Sequence, residues 1–276
     1  MRNGNRVTIL LLYAMIFVLS SSALGQESAE TIIQKSLAAN TRDWNAAPQF
    51  DCREQDRTSK GGTKTYDDMM ILGSPYQRLV AMNGKPLDSA QEAEENRKLK
   101  NAIAERKSES HKKRAARIAK YQAELKRNRF FMEQMTSAFD FKLVDETELD
   151  GHQVYVLDAT PRHGYRPPNM ETQALIGMRG KLWIDKDTFH WVKVEAQVTH
   201  RVSIEGFLAQ VEPGTRFELE KTPVAPGIWL PKHFAMHSHA RILYLIPHQG
   251  QEDESFFNYQ RDANADGNAS SVSKSG

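Results

Sequence analysis

The stretch GKLWIDKDTFHWVKVEAQV, Gly180 to Val198, decides how the chain folds. Leu182, Trp183 and Ile184 run into Asp185-Lys186-Asp187-Thr188, after which large residues resume at Phe189 and Trp191. Short polar punctuation between β-forming runs reads as strand, tight turn, strand, with Asp185 and Asp187 as turn formers rather than a carboxylate pair. The second strand carries bulk on both faces. Phe189, Trp191 and Lys193 alternate with His190, Val192, Val194, Ala196 and Val198. A sheet with one wet face needs only one apolar row, so the extra aromatics must pack against something.

Working outward, the same punctuation recurs about every ten residues. Strands are expected at Phe50–Thr58, Lys64–Leu72, Tyr76–Met82, around Phe141–Val144 and at His152–Ala159. Further strands are expected near Val202–Val211, at Arg216–Glu220, Lys232–Leu245 and Glu254–Tyr259. Turns fall at Gly61-Gly62, Gly73-Ser74-Pro75, Asn83-Gly84, Asp150-Gly151, Pro213-Gly214 and Pro226-Gly227. There is no alternation of strands with helices, so the sheet is an antiparallel meander. One short amphipathic helix precedes it. Ser28 caps Ile32, Ile33, Ser36 and Leu37 at helical spacing, and the helix ends between Asn40 and Trp44.

The ends of the chain read differently. Arg2 and Arg6 flank the start, Val7–Leu19 is apolar, and Ala23-Leu24-Gly25 supplies small residues for cleavage. Residues 1–25 therefore read as a secretory signal peptide, with Gln26 the first mature residue and a periplasmic or secreted location. The 37 Lys and Arg against 35 Asp and Glu give +2, which falls to 0 without that segment. Bulk charge then offers no affinity for polyanions, and nucleic acid is not an expected partner. The single Cys52 excludes an internal disulfide and, flanked by Asp51 and Arg53, reads as a small buried hydrophobe. Residues 262–276, rich in Ser, Asn, Ala and Gly, are expected to be disordered.

Between Asp88 and about Met135 there is neither Gly nor Pro. This insert holds thirteen Lys and Arg against eight Asp and Glu. Ile118, Tyr121, Leu125 and Met132 form one helical stripe, and Leu99 with Ile103 a weaker one. Two helices are expected, possible partners being an envelope protein or an anionic membrane surface. The thin stripe predicts that the insert adds little to the main core.

Catalytic signatures are scarce: G-x-S-x-G, H-E-x-x-H, the P-loop and G-x-G-x-x-G are all missing. His233, His237 and His239 share one face of a strand and are the candidate metal ligands; an H-x-H pair among them can ligate zinc, with the third ligand sought in His190 or His200. Asp262, Asn264, Asp266 and Gly267 copy the start of a calcium loop, but Ser273 stands where its Glu belongs. No cofactor is expected. The surplus of large apolar side chains is the stronger signal. Trp183, Phe189, Trp191, Trp229, Phe234 and Met236 are the candidate lining of a cavity for a hydrophobic ligand, with Trp191 the first choice because Lys193 and Glu195 follow it. A core filled by the protein's own helices accounts for the same residues.

The series GSPYQRLVAMNGKPL at 73–87, DGHQVYVLDATPR at 150–162, MRGKLWIDKDTFHWVKVEAQV at 178–198, PGTRFELE at 213–220 and GIWLPKHFAMHSHARI at 227–242 resembles secreted bacterial proteins of the LolA/LolB-like lipoprotein-sorting superfamily, most of all its acidobacterial-type members. The resemblance spans residues 26–261. It implies an α+β fold, a curved antiparallel sheet or half-open barrel packed on helices, enclosing an apolar cavity for acyl chains or hydrophobic peptides. It also implies a non-catalytic protein whose partner is a lipid or an acylated protein. The long basic insert departs from the carrier pattern. An envelope-interaction or stress-sensing module with a filled barrel, and a metal-dependent enzyme on the His233, His237 and His239 face, are the alternatives.

Overall fold

The computed structural model of the chain describes residues 27–58, 61–204, 209–242 and 246–262. The expected signal peptide, the tail beyond Asp262, most of the calcium-loop match and Leu243–Leu245 lie outside the described residues.

Helix α1 (Ala29–Ala46) leads into β1 (Phe50–Thr58), β2 (Gly62–Ile71), β3 (Ser74–Met82) and the short β4 (Lys85–Pro86). The insert is α2 (Ser89–Ser108) and α3 (His111–Ala138). Strands β5 (Phe139–Leu149), β6 (His152–Pro161), β7 (Met178–Asp185) and β8 (Trp191–Val198) follow. The single strand expected at 202–211 is two short ones, β9 (Val202–Ile204) and β10 (Ala209–Val211), paired with each other. The chain ends with β11 (Arg216–Ala225), β12 (Ile228–Ile242) and β13 (Ile246–Arg261), the last starting well before the expected Glu254.

The order across the sheet is β4-β3-β2-β1-β13-β12-β11-β8-β7-β6-β5, with β10 and β9 added beside β12. Every pairing is antiparallel. The last strand, β13, lies against the first, β1, so two meanders are joined by the ends of the chain. Edge strands β4 and β5 are not paired with each other, and the sheet is open. The hairpins close where the sequence supplies left-handed backbone: Asn83-Gly84 at φ 52° and 73°, Asp150-Gly151 at 52° and 82°.

The opening hairpin shows why both of its faces are bulky. Trp183 pairs with Lys193 but Ile184 pairs with Trp191, so Val192 is an extra residue, a β-bulge. Below the bulge Val194, Ala196 and Val198 face the helices. Above it Trp191 faces them too, buried with Leu182, Ile184, Ile32, Ile33 and Met135. Val192 is turned to the opposite face, where it meets Val154, Val156, Trp229 and Trp183. That second cluster is covered by lysines: Lys193 Nζ and Lys181 Nζ lie 5.9 and 6.0 Å from the Trp183 ring centre. The aromatics thus pack in two separate cores on the two faces of one sheet. Strand β8 begins at Trp191, because Phe189 sits in the turn at φ 61°.

Helix α1 fastens the sheet's middle. Ser28 caps it, and Ile32, Ile33, Ser36, Ala39, Asn40 and Asp43 form its buried stripe. Asp43, 1% exposed, accepts a hydrogen bond from the Trp229 backbone N–H at 2.9 Å and ion-pairs with Lys221. Lys221 also donates to Asn40 Oδ1 at 2.8 Å. His190 Nε2 lies 3.3 Å from Asp43 Oδ1, close enough for attraction but too poorly aimed for a hydrogen bond. Burial pushes the Asp43 carboxyl up, but His190, Lys221 and the Trp229 N–H outweigh it and hold the group below its ordinary value. Burial pushes the Lys221 ammonium down, against the pull of Asp43.

The insert adds more to the main core than its thin stripe predicts. Helix α2 does not run alongside α3. It starts with a capping box, Asp88 with Gln91, and ends at the β2–β3 turn. There Arg106 donates to the carbonyls of Ile71, Ser74 and Pro75, and Arg117 of α3 donates to Leu72 O and Ser74 Oγ. From that anchor α3 crosses to β5, and its last turns join the main core through Met135 and Ala138, with Phe131 and Met132 packed alongside. The helix covers about 32 Å between Ile118, at Gly73, and Phe139, whereas a flat sheet would separate the β2–β3 turn from β5 by about 41 Å. The sheet therefore curves under the helix. The apolar stripe looked thin because its core-facing half begins only at Phe131.

Two stability measurements check this architecture. Met135→Ala is expected to cost about 2–5 kcal/mol in a denaturant titration, while Lys100→Ala on exposed α2 changes stability by less than about 0.5 kcal/mol. Two equally small effects would mean that α3 only leans on the sheet. Asp43→Ala leaves Lys221 buried and unpaired and is expected to cost about 3–5 kcal/mol. Since the folded Asp43 carboxyl titrates below 3.8, its stabilisation is complete above that pH and is lost as pH falls further. The acid limb of the wild-type stability curve should accordingly be steeper than that of Asp43→Asn.

Candidate apolar pocket beneath helix α3

The gap between α3 and the sheet is not filled along its whole length. Where α1 ends and α3 crosses β1, β2 and β13, a solvent-open pocket of about 600 Å³ remains. A short 3-10 turn, Ala47–Gln49, closes α1, and its Ala47 and Pro48 form one wall. Strand β1 contributes Phe50 and Cys52, and β13 contributes Phe256 and Tyr259. The far wall is Leu230 and Pro231 of β12, with Met69, Met70 and Tyr76 from β2 and β3. Tyr121 of α3 overhangs them. The volume lies within the range of small-ligand sites, about 300–1,000 Å³.

Of the polar groups lining this pocket, the Cys52 thiol is held neutral and Tyr259 and Gln77 are hydrogen-bonded, while Asp68 brings a carboxylate whose Oδ1 is buried without a hydrogen bond. The Cys52 thiol is pushed up to about 12, by burial first and then by Asp68, Glu54 and Asp51. It carries a proton at neutral pH and serves neither as nucleophile nor as metal ligand. The Tyr259 hydroxyl donates to Pro231 O at 2.6 Å, and burial pushes its pKa up. Beside the pocket, Glu54 is pushed up to about 8 by burial and by Asp68, and it accepts a hydrogen bond from Gln77 Nε2 at 2.8 Å. Two adjacent carboxyls of this kind favour sharing a proton, and the remaining negative charge borders the apolar wall at Asp68.

The six residues expected to line a cavity are not brought together. Trp191 is 6% exposed in the main core, and Trp229, 4% exposed, belongs to the second core, its ring 5.5 Å from His190 and 4.7 Å from His152. Trp183 lies beneath two lysines. Phe189 stacks on Tyr155 at 6.4 Å with Lys35 over it. Phe234 and Met236 pair with Leu219 and Phe217 and are half-buried on the helix-facing side of the sheet. None of the six lines the pocket under α3. Of that lining, only Tyr121 stood out in the sequence, as a member of a helical stripe.

The histidine face sits on the side of the sheet away from the helices. His233 Nε2 is 3.3 Å from Asp253, while His237 borders a charged groove of about 530 Å³ with Arg216 and Glu218. His200 bonds Thr199, and His190 is buried beside Asp43. Among the described residues no three His, Cys, Asp or Glu side chains converge on a metal position. Among the described residues the pair His152–Asp185, 3.2 Å apart, has no nucleophile on its imidazole, and Thr188 Oγ1 is bonded to Asp185 instead. No helix among the described residues is long and apolar enough to cross a membrane.

The protonated thiol gives a direct check. At about pH 8, iodoacetamide should modify Cys52 in the folded protein at least about tenfold more slowly than an ordinary cysteine, whose pKa is about 8.5. The difference should vanish in denaturant. Rapid labelling of the native protein would mean that the thiol is neither buried nor raised.

No protein-family model matches the chain, and no curated protein matches it. Among solved structures, the chain is similar to a Vibrio parahaemolyticus domain described as an outer membrane lipoprotein-sorting protein, at TM-score 0.36 and 10% identity, covering 87% of this chain and 98% of that one. It is also similar to a LolA superfamily protein from Nitrosomonas europaea, at TM-score 0.33, 11% identity and 86% and 94% coverage. A DUF1329 family protein from Desulfovibrio piger gives 0.30, 11%, 86% and 95%. At these identities and TM-scores the likenesses assign neither a family nor a role to this chain.

Proposed function

We propose that the protein binds the apolar part of a ligand, an acyl chain or a hydrophobic peptide segment, in the pocket under α3, and that it does so without chemistry. The observation that carries this reading is the pocket: about 600 Å³, walled by Phe50, Met70, Leu230 and Phe256 and overhung by Tyr121. Its one thiol is pushed towards the neutral form, and its one lining carboxylate, Asp68, stands beside Glu54, whose pKa is raised. Such a wall favours burial of hydrocarbon, at about 0.8 kcal/mol per CH₂ removed from water. A place in the bacterial envelope accords with the basic start and apolar run at the N-terminus.

Because no tryptophan lines the pocket, the readout must be a probe. A dansyl-labelled fatty acid should bind saturably, with its emission rising as it leaves water, and unlabelled long-chain fatty acid should displace it. Tyr121→Ala and Phe256→Ala should each weaken binding by about tenfold or more, since each removes a large apolar contact. Trp183→Ala, in the opposite core, should leave affinity unchanged. An unsaturable signal, or one indifferent to Tyr121 and Phe256, sinks the proposal.

A further inference from the structure

The positive charge of the insert is segregated on one helix. Helix α2 holds five Lys and Arg against four Glu, whereas α3 holds eight against two. Not all of the eight are available. Arg117 is paired with Glu109, Arg129 bonds Asn45, Arg114 reaches Arg106 O, and Arg127 is engaged as well. Lys112, Lys113, Lys120 and Lys126 are exposed and make no ion pair among the described residues. At 3.6 residues per turn these four lie within about 140° of the circumference and along about 21 Å of the axis. The arc is opposite the underside that carries Ile118, Tyr121 and Leu125, and α2 does not cover it. The side chains between the lysines are alanines, Ala115, Ala116, Ala119 and Ala123, so nothing bulky or acidic stands above the row. Glu124 lies on its flank.

We infer that the outward face of α3 docks on an anionic lipid bilayer. Charge complementarity selects that occupant. A straight, rigid row of ammonium groups on long flexible stems matches an extended plane of negative charge, and small residues between them allow close approach. The attraction of each Lys to such a surface corresponds to roughly fivefold in affinity and fades within a Debye length, about 8 Å at physiological salt. Four together make binding measurable although the mature chain as a whole is near neutrality. The inference does not depend on what the pocket under α3 holds.

The test uses protein beginning at Gln26, sedimented with vesicles of phosphatidylglycerol and phosphatidylcholine in equal parts, or of phosphatidylcholine alone. Binding is expected to the anionic vesicles only, and to weaken as salt rises. Lys112→Glu, Lys113→Glu, Lys120→Glu and Lys126→Glu combined should weaken it by at least about a hundredfold. A control with the same change in net charge, Lys64→Glu, Lys85→Glu, Lys142→Glu and Arg166→Glu, should weaken it far less. The set Lys→Gln at the four α3 positions guards against misfolding, which circular dichroism and melting would reveal, and should also lose most binding. Tyr121→Ala should dock normally, which separates this surface from the ligand pocket. No binding by the wild type, equal binding to neutral vesicles, or equal losses in the α3 and control variants would each overturn the inference.

Discussion

A single buried carboxylate sets the geometry of the rest. The inward row of β11 reads Phe217, Leu219 and then Lys221, a lysine where the pattern calls for a hydrophobe. An unpaired ammonium at 7% residue exposure would be prohibitively expensive. Asp43 and Asn40, one turn apart on α1, neutralise and solvate it, and Asp43 also takes the N–H of Trp229 where β12 begins. The same carboxylate therefore fixes a helix, a strand and the start of the next strand in one register. A hydrophobic contact could bury as much area but would let α1 slide; directional bonds from two strands do not.

That fixed α1 explains where the core is full and where it is not. The helix fills the concave side over β11, β8, β7 and β6, with Trp191 wedged against Ile33 and Met132 beside it. It stops at Ala46, and the 3-10 turn Ala47–Gln49 hands the chain to β1. Beyond that point α2 lies against β3, and α3 runs over the sheet, held at the β2–β3 turn by its Arg117 beside Arg106 of α2 and at β5 by its own C-terminal core residues. A straight helix strung between two anchors over a curved sheet cannot touch it everywhere. The pocket is the space left under the chord. Its lining comes from the early strands, the late strands and the helix between them, which the β1–β13 pairing brings together.

This origin also explains what could be read from the sequence. Turn chemistry is local, so Asn83-Gly84, Asp150-Gly151 and the Asp185 turn were legible, and with them the antiparallel sheet and most strand limits. The helices of the insert were legible from the lack of Gly and Pro. The excess of aromatics in Gly180–Val198 was legible as well, but not its use. A one-residue bulge at Val192 sends Trp191 and Trp183 to different cores, and nothing in an alternating pattern marks which residue will be extra. The pocket was not legible, because Phe50, Tyr121, Leu230 and Phe256 share no local pattern and meet only through strand order. Nor was the Asp43–Lys221 pair, 178 residues apart in the chain.

Helix α3 now appears as an element with two independent faces. Its underside has little choice: Ile118 packs at Gly73, where an added Cβ would come within 3.0 Å, and Met135 and Ala138 are shut in the core. Its upper side is free of any packing duty, so its composition reflects only what solvent or a surface asks of it. A helix that needed solubility alone would mix signs, as α2 does with four Glu among its Lys and Arg, because i to i+3 pairs such as Glu94 with Arg97 keep the net charge low. The upper side of α3 does not mix them. Two helices adjacent in sequence therefore differ in charge pattern on their exposed sides, and the difference lies on the one that spans the pocket. Charge on that face can change without disturbing the core, and the pocket beneath can change its lining without altering the charge.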